Sequence, residues 1–192
     1  MKLTADKILS LPDGIKLLRT AKLRCQKAIE TRKKPGHITD YYLVSLTWYT
    51  GLRISEVCRL KWNDIGHDFL TVTGKGDKKR TVFFGQRVSK NLEEYRSLIQ
   101  EESNPNQEIF FGQKGPLSES GIHRRFKLLA AAAGLPETVS FHSLRHGYAT
   151  RLASRGIPLA AVRDQLGHSN ISTTSVYLHF TDQFKEQIQN LT

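Results

Sequence analysis

The last third of the sequence brings together side chains that could bind a phosphodiester and act on it. His142 and Arg145 stand three positions apart, so a helix through both would carry an imidazole and a guanidinium on one face. His168 and Tyr177 follow, nine positions apart. Arginines suit the nonbridging oxygens of a phosphate, a hydroxyl can attack the phosphorus, and cationic donors can stabilise the leaving oxygen. Together these residue types predict phosphodiester chemistry.

Arg53 adds a second guanidinium to this set. It follows Gly51, which is expected to end one helix, and it precedes a short apolar run, so Arg53 should stand near a helix N-terminus. Free backbone N–H groups and the guanidinium could there bind the same phosphate. A salt bridge from Arg53 to Glu56 is the structural alternative. Arg53 can form this salt bridge and bind the phosphate as well, because an acid that orients the arginine would preorganise the site.

Lys75 lies in the loop of a predicted β-hairpin. Residues 69–73 and 80–84 are rich in β-branched and aromatic side chains, and the glycine-rich, basic residues 74–79 separate them. Lysines at hairpin tips are most often solvated, so this lysine is a weak signal by itself. The loop does not match a P-loop, which requires Gly-x-x-x-x-Gly-Lys-Ser/Thr after the strand.

The charge balance points toward a polyanionic partner. The chain has 192 residues, with 29 lysines and arginines against 18 aspartates and glutamates, and a formal net charge of +11. Such an excess favours nucleic acid, although a basic protein with a solvated surface would show the same balance. Cys25 and Cys58 indicate neither a disulfide framework nor a zinc cluster. The sequence shows no membrane-spanning run and no signal peptide, which predicts a cytoplasmic protein.

Apolar periodicity predicts a mainly α fold with a small antiparallel β-sheet, in a single domain over residues 1–192. Residues 1–35 are expected to form an N-terminal helical segment, broken near Pro12. Residues 180–192 are expected to form a tail helix that docks either on a neighbouring subunit or on its own core. The helices predicted between them are residues 39–50, 86–102, 119–133 and 140–155, and residues 108–111 could add an edge strand.

Clusters of basic residues are the candidate contacts to a nucleic-acid backbone. They lie in the loop before residue 36, which is rich in helix-breaking residues, in and after the hairpin loop, and on one face of the predicted helix 119–133. These residues are Lys33 and Lys34; Lys78, Lys79 and Arg80; and His123, Arg124, Arg125 and Lys127. The alternative for each cluster is a solvated surface.

Four motifs, taken in order, resemble those of the tyrosine recombinases, also called lambda-type integrases. They are Thr-Gly-Leu-Arg-Ile-Ser-Glu at 50–56, Gly-Lys-Gly at 74–76, His-Ser-Leu-Arg-His at 142–146, and Leu-Gly-His at 166–168 followed by Tyr177. Each motif alone is modest, but their joint order and spacing are specific. The resemblance covers essentially the whole chain and implies the fold of that family's catalytic domain.

The resemblance implies a role for each residue of the predicted site. Tyr177 would attack a DNA phosphate, forming a 3′-phosphotyrosyl link and freeing a 5′-hydroxyl. Arg53 and Arg145 match the two arginines that clamp this phosphate. Lys75 matches the general acid for the leaving 5′-oxygen. The implied activity is site-specific DNA recombination through a Holliday junction.

The remaining matches support this chemistry. His142 and His168 match positions that assist proton transfer and bind the phosphate, and Glu56 matches the acid that supports the site. The resemblance implies no metal, ATP or other cofactor. It implies double-stranded DNA as the partner, a homo-tetramer on paired sites formed from a chain that can be monomeric without DNA, accessory DNA-bending proteins, and association with the nucleoid.

Members of this family commonly carry an additional N-terminal helical domain that completes a clamp around DNA. The first 35 residues are too few for it, so no separate core-binding domain is expected in this sequence. The chain is either an isolated domain of a longer protein or a short recombinase that resembles the fimbrial phase-variation inverters.

Two other functions stay open on the sequence alone. A catalytically silent relative would bind DNA and regulate a partner recombinase without forming an adduct. A metal-dependent nuclease could use some of the seven histidines, although these lack ligand spacing with acids. The absence of a carboxylate cluster also argues against magnesium-dependent phosphoryl transfer.

Overall fold

The computed structural model of the chain describes residues 9–74, 79–99, 104–112 and 115–167. Within them the chain is mainly helical with two small antiparallel sheets, which confirms the predicted fold class. The helices are α1 (Leu11–Thr31), α2 (Gly36–Thr50), α3 (Ile54–Arg59), α4 (Gln86–Ile99), α5 (Glu119–Ala132), α6 (Phe141–Ser154) and α7 (Leu159–Leu166), with a 3₁₀ turn at Trp62–Asp64. The strands are β1 (Phe69–Thr73), β2 (Lys79–Phe83), β3 (Phe111–Gly112) and β4 (Gly115–Pro116). None of the described helices combines the length and the apolar character needed to cross a bilayer.

Helix α2 forms the centre of the core. Every residue from Tyr42 to Trp48 is buried, so this helix must be covered on all sides. Helices α1, α4 and α6 pack against it. Helix α1 contributes a single apolar stripe at helical spacing, formed by Leu17, Ala21, Cys25 and Ala28. The long helices therefore share one apolar core, and the hairpin joins it through Leu70, Val72 and Val82.

The predicted hairpin is confirmed. Strand β1 pairs antiparallel with β2, and Phe69 lies opposite Phe83. Leu70 and Val82 are buried opposite each other, which fixes the register because a slip of one residue would expose both. The edge strand expected at 108–111 lies further along the chain, since only Phe111 and its successor pair with β4.

The break expected near Pro12 is wrong. Pro12, Asp13 and Gly14 form the first turn of α1, where proline costs no hydrogen bond because the N–H groups of that turn have no helical partner. Ser10 caps this turn by accepting a hydrogen bond from the Asp13 N–H at 3.2 Å. The residues before Leu9 lie outside the described part of the chain.

Replacing Gly14 with alanine should destabilise the fold. A Cβ at this position would lie 1.9 Å from Cη2 of Trp48, so a buried aromatic ring would have to move. Overpacking of this kind costs about 1–3 kcal/mol, and the midpoint of urea unfolding should fall accordingly. Gly121→Ala is the matched control, because its Cβ would meet only the Ser118 hydroxyl, at 3.2 Å. Equal midpoints for the two variants would contradict the packing described for α1 against α2.

Candidate active site

Gly51 places Arg53 at the start of α3, as the sequence predicts. The glycine ends α2 with φ of 67°, a left-handed backbone conformation that residues with a Cβ rarely adopt. A Cβ there would also lie 2.5 Å from the ring of Tyr148. Two residues later Arg53 is the N-cap of α3, and 34% of its side chain is exposed. The guanidinium therefore lies beside a helix N-terminus and remains accessible to an anion.

Glu56 orients this arginine. Its carboxylate is almost fully buried and accepts hydrogen bonds from the Arg53 backbone N–H at 2.8 Å and from Arg53 Nη1 at 3.1 Å. The salt bridge between Arg53 and Glu56, which the sequence offered as an alternative to phosphate binding, is thus present, and the Arg53 guanidinium is still exposed. Arg80 binds the same carboxylate with both terminal nitrogens, at 3.0 and 3.1 Å. One buried acid therefore fixes two arginines.

Arg145 is the second guanidinium of the site, and it is 3% exposed. It donates to the carbonyl of Gly51 at 2.8 Å and to the carbonyl of Leu166 at 2.7 Å. The alternative partner, Asp164, instead contacts Arg163 at 3.5 Å. Burial, followed by the charge of Arg53, lowers the pKa of Arg145 to about 9. The group stays cationic at neutral pH, and a bound anion would relieve the cost of its burial.

The end of α7 is held by both arginines. Arg145 binds the Leu166 carbonyl, and Arg53 Nη2 donates to the Gly167 carbonyl at 2.6 Å. These carbonyls carry the partial negative charge of a helix C-terminus. Gly167 caps α7 with φ of 68°, and a Cβ there would lie 2.4 Å from Nε of Arg80. The chain therefore leaves α7 toward His168 from a position that the arginine cluster fixes.

Three residues of the predicted site, Lys75, His168 and Tyr177, lie outside the described residues, and their roles stay predictions. His142 lies in the first turn of α6, is exposed, and has its ring centroid 4.5 Å from that of His146 in an edge-to-face arrangement. Ser140 is the N-cap of this helix, so the alternative role of His142 as a cap is wrong.

His146 lies in a more buried environment than His142. This histidine is partly buried, and burial, with the charge of Arg145 second, holds its pKa below the ordinary value. A neutral imidazole is therefore favoured at position 146 near pH 7. No site role for His146 was predicted from the sequence, but in the structure it meets two predicted site residues, through the ring of His142 and the charge of Arg145.

Two residues predicted to contact DNA have other partners. Arg80 faces Glu56 rather than solvent, because position 80 lies on the same face of β2 as the buried Val82. Arg125 points inward from α5, where its Nε binds Asp40 at 2.7 Å and a terminal nitrogen donates to the Gly36 carbonyl. Both guanidinium groups are half-buried and bound to acids of the protein itself, which favours a structural role for the two residues.

The other predicted DNA contacts that the structure describes are exposed. Lys33 and Lys34 lie in the connection between α1 and α2, and Lys79 begins β2. On α5, His123 and Arg124 face solvent, while Lys127 is exposed but donates to the backbone carbonyl of Glu137. Lys78 lies outside the described residues. These side chains remain the candidate phosphate contacts.

Arg80→Gln and Lys79→Gln should separate structural from DNA-contacting residues. Loss of an exposed lysine that contacts a phosphate should reduce the slope of log affinity against log salt concentration by about 0.9. Loss of Arg80 should leave this slope unchanged and lower the free energy of unfolding by about 1.5–3 kcal/mol, because a buried carboxylate loses two charge-assisted hydrogen bonds. DNA binding titrated at several salt concentrations, together with urea unfolding, provides the comparison. A reduced salt slope for Arg80→Gln would show that Arg80 contacts DNA.

The residues that attach α7 to the rest of the site were not predicted from the sequence. Gln165 is 2% exposed and binds both strand β2 and Tyr148, yet helix α7 itself was not predicted. The spacing of Val162 and Leu166 was an available signal for the helix itself, since positions four apart share one helix face, but it does not indicate what Gln165 binds. Among the described residues, no group of three or more histidine, cysteine, aspartate or glutamate side chains could hold a metal ion.

The chain is similar to a known protein family and to known proteins. A family model described as the Phage integrase family matches residues 20–183. A tyrosine recombinase of Pseudothermotoga lettingae is 36% identical over 163 residues, which are 83% of this chain and 55% of that protein. The chain thus spans about half the length of the curated relatives that it matches.

Solved structures show a similar fold. The crystal structure of XerA recombinase is 26% identical, with a TM-score of 0.71, and the match covers 96% of this chain and 64% of that one. The XerH site-specific recombinase, in a post-cleavage complex with a palindromic difH substrate, is 25% identical, with a TM-score of 0.69 and coverage of 96% and 52%. Both resemblances extend over nearly all of this chain.

Proposed function

Because the chain belongs to the phage integrase family, we propose that it acts as the catalytic domain of a site-specific DNA recombinase that cleaves and rejoins strands through a 3′-phosphotyrosyl intermediate. The observation that carries the proposal is the clustering of Arg53 and Arg145 around Glu56 and the end of α7. Arg53 and Arg80 bind the Glu56 carboxylate directly, and Arg145 lies close enough for their charges to act on it, so three guanidinium groups share one acid. This excess of positive charge suits a phosphodiester.

The two arginines would hold the nonbridging oxygens of the scissile phosphate. The phenolic oxygen of Tyr177 then forms a bond to phosphorus, and the bond from phosphorus to the 5′-oxygen breaks. Lys75 gives a proton to that oxygen, and His142 and His168 assist the proton transfers. The roles of Lys75, His168 and Tyr177 rest on the sequence motifs.

The cationic cluster gives a physical reason why a tyrosine can attack. A free phenol titrates near pH 10, so it is a poor nucleophile at neutral pH unless nearby cations stabilise the phenolate or a base accepts the proton. Guanidinium groups also stabilise the charge that develops on the phosphoryl oxygens in the transition state. The phosphotyrosine keeps the energy of the broken bond, so a 5′-hydroxyl from another strand can reverse the step. Side chains supply both nucleophile and acid, and the scheme requires neither ATP nor a metal.

The partner in this proposal is double-stranded DNA that carries recombination sites. Exchange between two duplexes requires four cleavages, which is the reason for proposing a homo-tetramer on paired sites, with a Holliday junction between the two rounds of strand exchange. Accessory DNA-bending proteins and association with the nucleoid in the cytoplasm remain part of the proposal, because the substrate would be chromosomal or phage DNA. The net charge of +11 supports binding to such a polyanion.

Recovery of covalent protein–DNA complexes from cells expressing the chain tests the proposal. After lysis in denaturant, only DNA attached by a covalent bond stays with the protein, and sequencing identifies it. Recombinase chemistry predicts attached fragments that share an inverted-repeat core. Native DNA binding without any denaturant-resistant adduct would instead support a catalytically silent DNA-binding protein.

A second arm of the experiment addresses the metal-dependent nuclease. The purified chain is incubated with the recovered core site in the presence of EDTA. The proposal predicts undiminished adduct formation under these conditions. Cleavage that stops in EDTA and resumes with added divalent metal would contradict it.

A further inference from the structure

Gln165 is buried in the last turn of α7, and its side-chain amide forms hydrogen bonds with strand β2. Its Oε1 accepts a hydrogen bond from the Phe83 N–H at 3.2 Å, and its Nε2 donates to the Phe83 carbonyl at 2.7 Å. Nε2 also donates to the Tyr148 hydroxyl at 3.1 Å. Glutamine is rarely fully buried, and this side chain is 2% exposed. The amide therefore binds β2 as the peptide group of a neighbouring strand would.

Three consecutive residues at this end of α7 are each bound to a different element. Gln165 binds β2, the Leu166 carbonyl binds Arg145 of α6, and the Gly167 carbonyl binds Arg53 at the start of α3. Strand β2 has its own link to the same cluster through Arg80 and Glu56. The hairpin and the end of α7 are thus attached to the phosphate-binding arginines and also directly to each other.

These two elements adjoin, in the chain, the segments that hold the proposed acid and the proposed nucleophile. Strand β2 follows the loop that contains Lys75, and α7 precedes the segment that contains Tyr177. In an in-line displacement the attacking and leaving oxygens lie on opposite sides of the phosphorus. The direct link between β2 and α7 therefore bears on the distance between the two reacting groups.

We propose that Gln165 is a positioning residue, which fixes β2 against the end of α7 and so places the proposed general acid relative to the phosphate. The inference rests on the proposed function. When the amide is lost, α7 keeps its two arginine contacts at Leu166 and Gly167. Strand β2 keeps the ion pair of Arg80 with Glu56 and the apolar packing of Phe83 against α7, but it loses the hydrogen bonds from Gln165 that fix its backbone. The hairpin is the part that shifts, so proton transfer to the 5′-oxygen suffers while phosphate binding does not.

Gln165→Met tests this inference, because methionine has a similar length and no hydrogen-bonding amide. On nicked DNA carrying the recovered core site, cleavage should slow about 10-fold, since a misplacement of about 1 Å can cost up to about 100-fold. DNA affinity should stay within about 2-fold, because the arginine contacts remain. Urea unfolding shows whether the variant folds, and Gln165→Asn, which keeps the amide one methylene shorter, serves as the milder second variant with the same expected pattern.

A substrate with sulfur in place of the bridging 5′-oxygen distinguishes positioning from a general loss of structure. A thiolate leaves without a proton, so this substrate does not need the general acid. Gln165→Met should then cleave within about 3-fold of the wild type, because misplacement of the acid no longer matters. Lys75→Ala is the reference, and it should show the same rescue. Tyr148→Phe is the matched control, because it removes only the third hydrogen bond of Gln165 and should cleave both substrates normally.

The outcomes separate the inference from the function on which it rests. A Gln165→Met defect that persists on the sulfur substrate, while Lys75→Ala is rescued, would overturn the positioning role. Wild-type rates for folded Gln165→Met and Gln165→Asn on the oxygen substrate would also overturn it. Failure of the wild type to form any adduct, or of Lys75→Ala to respond to sulfur, would count against the proposed function itself.

Discussion

A Tyr177→Phe variant should bind DNA as the wild type does and should form no covalent protein–DNA adduct. Phenylalanine lacks the oxygen that would bond to phosphorus, while the arginine cluster that would bind the phosphate is unchanged. Loss of a covalent nucleophile typically costs about 10⁴-fold or more, so the adduct should fall below detection. Gel electrophoresis in denaturant after incubation with the recovered core site measures the adduct, and a mobility shift measures binding.

Tyr41→Phe is the matched control for this result. Its ring is partly buried on α2 beside Tyr42, so the substitution removes a phenol of the same kind without touching the arginine cluster. The control should form adduct at the wild-type rate. An adduct that persists in Tyr177→Phe would assign the nucleophile to another residue.

Replacing Arg145 with lysine should slow cleavage about 1,000-fold, which is the second-largest effect expected. The guanidinium binds two carbonyls, those of Gly51 and Leu166, and would also bind a phosphate, whereas an ammonium cannot reproduce this planar set of donors. Removal of one preorganised donor to a developing oxyanion costs about 100- to 1,000-fold in known enzymes. The loss of the α7 contact adds to this cost. Single-turnover cleavage of a nicked substrate measures the rate.

Arg155→Lys provides the comparison on the same helix. Arg155 is exposed at the C-terminal end of α6, so this conservative change should leave the rate within about 2-fold of the wild type, as is usual for surface positions. Near-normal cleavage by Arg145→Lys in a folded protein would show that the phosphate does not bind at this guanidinium. Urea unfolding of both variants excludes a loss of fold as the reason for a slow rate.

Contacts between residues close in the chain were predictable from the sequence. Arg53 and Glu56 lie three positions apart across the start of α3, so both the position of the arginine near a helix N-terminus and its salt bridge followed from local spacing. The hairpin also followed from local signals, because alternating β-branched residues flank a glycine-rich loop. In each case the information lies within a few residues.

Contacts between distant residues were not predictable in this way. The carbonyl partners of Arg145 are 94 and 21 positions away. Arg80 was predicted to bind DNA because its loop is basic, yet its partner Glu56 lies 24 positions before it. Alternation along β2 could have indicated that Arg80 faces inward, but only the packed structure identifies what it meets there.

The link through Gln165 could not be read from the sequence at all. A glutamine near the end of a short helix is ordinarily a solvated side chain. Its role depends on Phe83, which is 82 positions away and contributes only backbone atoms. Backbone partners carry no residue-type signal, so neither composition nor spacing indicates them.

The most direct test of the account is to identify the residue that is covalently attached to DNA. Adducts formed on the recovered core site are digested with protease and nuclease, and the remaining nucleotide-bearing peptide is located by mass spectrometry. The expected peptide spans Tyr177 and carries the nucleotide 3′-phosphate on its phenolic oxygen, and the complementary cleavage product has a free 5′-hydroxyl. Attachment through another side chain, or a 5′-phosphate at the break with no attached peptide, would contradict it.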